Sequence, residues 1–152
     1  MTTTQSYLET WIEARTRFSN LLGEIQEAEL KKRLLHTQNS AGFLIRHIGD
    51  VELLFAKNVF GAAEVKVQAK TVIEKQDSGE WIHLAELLEY QGYAYTMLHG
   101  IIALQQDSDW TTLITTKEFG TKTKAQALVR ILSHTAYHAG QLSLTLKYGV
   151  VG

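Results

Sequence analysis

The segment Lys124-Ala-Gln-Ala-Leu-Val-Arg-Ile-Leu-Ser-His134-Thr-Ala-Tyr-His138-Ala-Gly-Gln141-Leu-Ser-Leu-Thr-Leu-Lys147 holds no Pro and a single Gly, and its composition predicts one long helix. Side chains four apart stack on one face of such a helix, so His134 and His138 present two imidazoles from adjacent turns. Ala127, Ile131, His134, His138 and Gln141 share one strip, flanked by Leu128, Thr135, Leu142 and Leu146. The imidazoles therefore lie beside a buried face, where an unpaired polar group costs about 1–3 kcal/mol. Two His at this spacing can grip one metal ion. The pair alone is weak evidence, because short motifs recur by chance.

Outside this segment the apolar spacing predicts three more helices. Tyr7, Trp11, Ala14, Phe18 and Leu21 alternate by four and three, which predicts a bundle helix to about Leu22 with Glu13, Arg15 and Arg17 off its seam. The charges of Glu24–Arg33 read as solvent-facing. Asn39 and Ser40 are good N-caps for a second helix from Ala41 to Phe60, closed by Gly61. Leu44, Ile48, Val51, Phe55 and Val59 form its stripe, with His47 on the edge. A third helix spans about Glu80 to Gln105. Thr123 with Gln126 is a capping box for the fourth, which ends at Tyr148 before Gly149.

Between helices two and three lie about twenty residues, far more than the ~2–8 that join antiparallel neighbours. A connection that long permits a crossover. Within it Val65, Val67 and Ala69 alternate with polar residues, which predicts an extended segment that pairs with the β-prone Trp110–Thr116. The fold expected is an all-α four-helix bundle with a short two-stranded pair in its loops.

Composition narrows the function. Chain length fits one domain over residues 1–152. Fifteen basic and sixteen acidic residues leave a net charge of −1, which gives no electrostatic case for nucleic acid or an anionic membrane. No apolar run reaches the ~18 residues of a membrane span, and Met1–Ser6 lacks the features of a signal peptide. With no Cys there is no thiolate ligand, nucleophile or disulfide in the chain. A cytoplasmic location is expected.

His47 joins His134 and His138 as a candidate three-imidazole site with an open coordination position, the pattern of a catalytic centre. Imidazole suits Zn, Ni, Cu or Fe(II), and ligand type alone does not choose among them. The alternative is three interfacial histidines bonded to backbone or water. Asp50 and Gln141, one turn from these residues, are placed to fix an imidazole tautomer or else are solvated polar residues. Tyr90, Tyr93 and Tyr95 either line a pocket or pack the bundle. His36 and His99 have no partner at ligand spacing. Glu80-x-x-His83 is a single copy where a di-iron carboxylate site needs two, and is rejected.

Asn39-Ser-Ala-Gly-Phe-Leu-Ile-Arg-His47-Ile-Gly-Asp-Val-Glu52 resembles the second-helix signature of the DinB family, the DinB/YfiT-like proteins. Ile131-Leu-Ser-His134-Thr-Ala-Tyr-His138-Ala-Gly-Gln141-Leu142 resembles its fourth-helix signature, and the likeness covers nearly the whole chain. It implies an up-down-down-up bundle, commonly a homodimer, with His47, His134 and His138 as ligands of a divalent metal, Zn or Ni before Fe or Mn. Relatives include transferases that use low-molecular-weight thiols such as bacillithiol or mycothiol on a small-molecule substrate. Ala139 stands where members often carry Arg, and Tyr137 where a further His is common, so no particular substrate carries over. Two readings follow: a metal-dependent enzyme of the thiol S-transferase or hydrolase kind, or a stress-associated dimer that binds a metal or small ligand without chemistry.

Overall fold

A computed structural model describes residues 1–151. Its helices are α1 (Thr3–Leu22), α2 (Ala41–Asn58), a five-residue α3 (Lys70–Glu74), α4 (Leu84–Leu104) and α5 (Lys124–Tyr148). An antiparallel hairpin, β1 (Leu113–Thr116) and β2 (Gly120–Thr123), leads directly into α5. No helix among the described residues is long and apolar enough to cross a membrane.

Local chemistry sets the helix ends. Thr123 Oγ1 accepts from Gln126 N while Gln126 Oε1 accepts from Thr123 N, so the expected capping box starts α5. Thr2 and Gln5 form the same box and start α1 four residues ahead of its apolar seam. Ser40 caps α2 through Phe43 N. That helix stops at Asn58, because Gly61 takes a left-handed φ of 90° and sends Ala62 N back to the Ala56 carbonyl at 2.9 Å. Trp81 lies before α4, with its carbonyl pressed on Gly42 of α2, which delays the helix to Leu84.

Four long helices form the bundle, and their cross-contacts fix its direction. Gly42 meets Trp81, Gly49 meets Tyr90 and Gln91, and the Phe60 carbonyl accepts from Gln105 Nε2, so α2 and α4 run parallel. Arg15 reaches Gln91 while Thr4 reaches the Gln105 carbonyl, which sets α1 against α4. Phe55 meets Phe119 ahead of α5, while Lys32, ahead of α2, donates to the Leu146 carbonyl near the end of α5. Those two helices therefore oppose each other. The topology is up-down-down-up, made possible by the long crossover that carries α3.

Two expectations are corrected. Residues 65–69 form no strand: Val65 and Ala69 bury into the core, and Lys66 N donates to Tyr93 Oη. Strand β1 pairs instead with the adjacent β2, with Leu113 opposite Thr123 and Thr116 opposite Gly120. A partner a few residues away costs far less loop-closure entropy than one forty residues off. The second correction is Arg15, which lies four residues after Trp11 and three before Phe18. It is on the buried seam, 3% exposed, and pairs with Glu52, which is fully buried. Glu13 and Arg17, by contrast, are exposed.

The buried apolar residues form two clusters. One holds Trp11, Phe55, Leu98, Trp110 and Ile131; the other holds Phe18, Leu30, Ile45, Ile48 and Leu142. Polar side chains at Arg15, Asp50, Glu52 and Gln91 lie along the helices between them.

Candidate metal centre

Antiparallel packing of α2 on α5 brings together three residues that are far apart in sequence. His47 Nε2 lies 3.2 Å from His134 Nε2, although 87 positions separate the residues. One donor nitrogen from each of His47, His134 and His138 lies within 4.8 Å of the others. All three side chains are half-buried. Their rings form a cluster in which His138 meets His47 and His134 edge-on, at centroid distances of 4.8 Å and 4.4 Å.

Burial holds all three imidazoles neutral. The His47 pKa is pushed down to about 4, chiefly by burial and then by the charge His138 would carry. Burial, followed by His138 and His47, pushes His134 to about 3, and burial also lowers His138. A neutral imidazole offers the lone pair that a metal takes.

Hydrogen bonds choose the tautomer at two of the rings. Thr71 Oγ1 donates to Asp50 Oδ2 at 2.6 Å, so its remaining lone pair accepts from His47 Nδ1 at 3.0 Å. The His47 proton therefore resides on Nδ1, and Nε2 turns a lone pair toward the cluster. At His138, Nδ1 donates to Gln141 Oε1 at 2.7 Å, which likewise leaves Nε2 free. His134 differs. Its Nδ1 is buried with no hydrogen-bond partner, and in the metal-free protein its proton sits on Nε2, which donates to the His47 Nε2 lone pair at 3.2 Å.

These residues fit a divalent ion. Two nitrogens bound at ~2.0–2.1 Å in tetrahedral geometry stand roughly 3.3 Å apart, close to the spacing of the facing Nε2 atoms. Facing lone pairs at that range repel unless a proton or a cation lies between them. Three neutral imidazoles leave a coordination position for a substrate or water.

Asp50 was expected beside an imidazole and instead acts through Thr71. It is fully buried and accepts from Thr71 N at 3.1 Å, Thr71 Oγ1, Arg46 Nε at 2.9 Å and Tyr90 Oη. Burial, then the Asp50 carboxylate, raises the Tyr90 phenol far above its usual range, so it stays a donor. Arg46 also stacks over the Tyr90 ring at 3.7 Å and donates to the Gln68 carbonyl, which ties the crossover to α2. Gly49 makes room for this arrangement, because a Cβ there would crowd Tyr90 and Gln91. Of the three tyrosines singled out on α4, Tyr93 bonds Lys66 N and Tyr95 stacks on Trp11.

Thr71, Arg46 and Tyr90 carried no sequence signal as a unit. Thr71 belongs to the short α3 of the crossover, twenty-one positions after Asp50. Only the Asp50 position on the His47 helix hinted that something would bind there. His36 and His83 are exposed, and His99 packs against Trp11 and Tyr95, so none of them joins the cluster.

A family model described as the DinB superfamily matches residues 10–142. Comparison with curated proteins and with solved structures gives no match.

Proposed function

The chain belongs to the DinB superfamily, and from that premise we propose that it is a metal-dependent enzyme whose ion is held by His47, His134 and His138. The observation that supports the reading most is the convergence of three neutral imidazoles, two of them with their lone pairs aimed inward by Thr71 and Gln141. A purely structural zinc would be closed by a fourth protein ligand. Among the described residues, these three form the one group of three or more His, Cys, Asp or Glu side chains with donor atoms close enough to share an ion.

Bound there, Zn or Ni would acidify a coordinated thiol or water and hold it as a nucleophile at neutral pH. The protein's own contribution is positional. Thr71 and Asp50 hold the His47 ring, Gln141 holds His138, and burial keeps protons off all three. The chain has no Cys to act as a nucleophile. A reaction in which the substrate brings the nucleophile suits that lack, so we favour transfer of a low-molecular-weight thiol to a small electrophile. The sulfur forms the new bond to carbon, the leaving group departs with the bonding pair, and the thiol proton passes to solvent. A cytoplasmic homodimer is part of the same reading; the exposed Val129, Tyr137 and Leu144 on α5 offer an apolar face to a second copy.

Metal analysis tests the first step. Purified protein should load about one equivalent of Zn or Ni per chain, and replacing all three His should abolish loading. A thiol and electrophile panel tests the second: activity should vanish on chelation and return with metal. Loading without turnover across the panel would leave a binding protein rather than an enzyme. Metal content unchanged in the triple variant would end both readings.

A further inference from the structure

Beside the imidazole cluster lies a cavity of about 410 Å³, bounded by α2, α3 and the β1–β2 hairpin. His47 and His134 form part of its lining. Val51, Leu54 and Phe55 make the α2 wall with Val59 just past its end, and Phe119 closes the hairpin side with its ring centroid 6.0 Å from that of Phe55. Cavities of this size and apolar character bind small molecules. The hairpin tip is held in shape, since Phe119 N donates to Thr116 Oγ1 at 3.2 Å.

The charge of the lining is one-sided. Glu118 is its one residue with a full charge at neutral pH, and no Lys or Arg lines it among the described residues. The nearest cation to Glu118 is Arg130, whose Nε stands 4.0 Å from Oε1, with both side chains about half exposed. Such a pair is weak, so the Glu118 field persists at the mouth. Asn58 and Thr116 add neutral hydrogen-bonding groups. In the metal-free protein a carboxylate entering here would meet a like charge and lose its water against apolar walls with no cation to replace it. In the loaded protein a carboxylate carried at the end remote from the metal would meet the same walls. An uncharged apolar body would gain burial against the α2 side chains and Phe119.

We propose that this cavity binds the apolar body of an uncharged organic substrate and turns away anionic ones, with Leu54 and Phe119 shaping the space and Glu118 setting the charge preference. The headgroup placement rests on the metal-dependent reading above; the cavity's own selectivity does not.

Two titrations separate the claims. In the first, Co(II)-loaded protein is titrated with benzyl mercaptan and with para-carboxybenzyl mercaptan, read by the thiolate-to-cobalt absorption band. Benzyl mercaptan should bind about tenfold or more tightly than its carboxylated analogue. Leu54→Trp should weaken benzyl mercaptan about tenfold yet leave mercaptoethanol and the cobalt stoichiometry unchanged. Glu118→Lys should narrow the gap between the two aryl thiols. Equal affinities in the unmodified protein, or no loss with Leu54→Trp, would overturn the proposal. In the second, benzyl alcohol is added to metal-free protein and amide shifts are followed by NMR. Changes centred on Val51–Val59 and Thr116–Phe119 support the cavity whether or not cobalt binds, and changes elsewhere or none overturn it. Failure to take up cobalt would sink the metal reading alone.

Discussion

Two polar clusters are buried in this bundle, and they are finished to different degrees. Around Arg15 every nitrogen has a partner: Nε and Nη2 bond both Glu52 oxygens at 2.8 Å, Nη2 also reaches Gln91 Oε1, and Nη1 reaches Ser19. Gln91 Nε2 in turn donates to the Ile45 carbonyl at 2.5 Å. Around His47 the outer ring nitrogens are satisfied, yet the inner ones face each other and His134 Nδ1 has no partner. A network in which every polar atom has a partner fixes helix register and presents no orphaned group to a ligand. The histidine cluster instead joins two inner nitrogens through one shared proton, which a metal ion can displace, and leaves a third ring nitrogen with no partner. Completeness of hydrogen bonding thus separates a structural polar layer from a site that waits for something.

Breaking the saturated cluster should have the largest effect. Glu52→Ala strands Arg15 in the core and should cost about 3–5 kcal/mol in urea unfolding. Pairing Glu52→Leu with Arg15→Met should recover most of that loss, because no unpaired charge remains. If Glu52→Ala cost under about 1 kcal/mol, the contrast between the clusters would collapse.

His134→Ala should do the opposite. Zn affinity, measured by competition with a chelating dye, should fall about a hundredfold or more, while metal-free stability moves by less than about 1 kcal/mol. Thr71→Val keeps the shape of the side chain but removes the hydroxyl between Asp50 and His47. It should weaken Zn about 10–100-fold with little change in the far-UV spectrum. Gln141→Leu should weaken it less, about tenfold or below, because Gln141 is half-buried and water can take its place.

The shallowest effect is on pH. The folded pKa values of His47 and His134, about 4 and about 3, lie below the ~6.5 of an unfolded histidine. Between those limits the unfolded chain binds more protons, so the stability of metal-free protein is full above pH ~6.5 and declines as pH falls toward 4. His134→Ala should flatten that decline. Denaturation midpoints at several pH values would show it.

The same contrast explains what could be read from the sequence. His134, His138 and Gln141 share one helix face, so their juxtaposition follows from the 3.6-residue repeat alone. His47 could be named a candidate from its place at the edge of the second helix's stripe, and the resemblance strengthened it, because spacing along one helix does not say which other helix it meets. The four apolar stripes and the Thr123 cap are local signals, and the bundle followed from them. Arg15 was misplaced because a charge on an apolar seam reads as solvent-facing until its partner, 37 positions away, is known. Thr71 was invisible for the same reason: its role comes from a crossover folding back onto α2. The hairpin register failed because alternation in 65–70 marks residues that alternate between core and surface, with no strand beside them.

The fold-back at Thr71 has a practical corollary. Both its backbone N–H and its hydroxyl end on one oxygen of Asp50, so the crossover is pinned at a single rung. Beyond that rung, Lys75 and Gln76 are exposed and lie before the Asp77 carboxylate that accepts from Ser40 N. A reporter domain grafted between Lys75 and Gln76 would therefore leave the pin intact. Trimming even one residue between Asp50 and Thr71 would pull the pin out of reach and let the His47 ring turn.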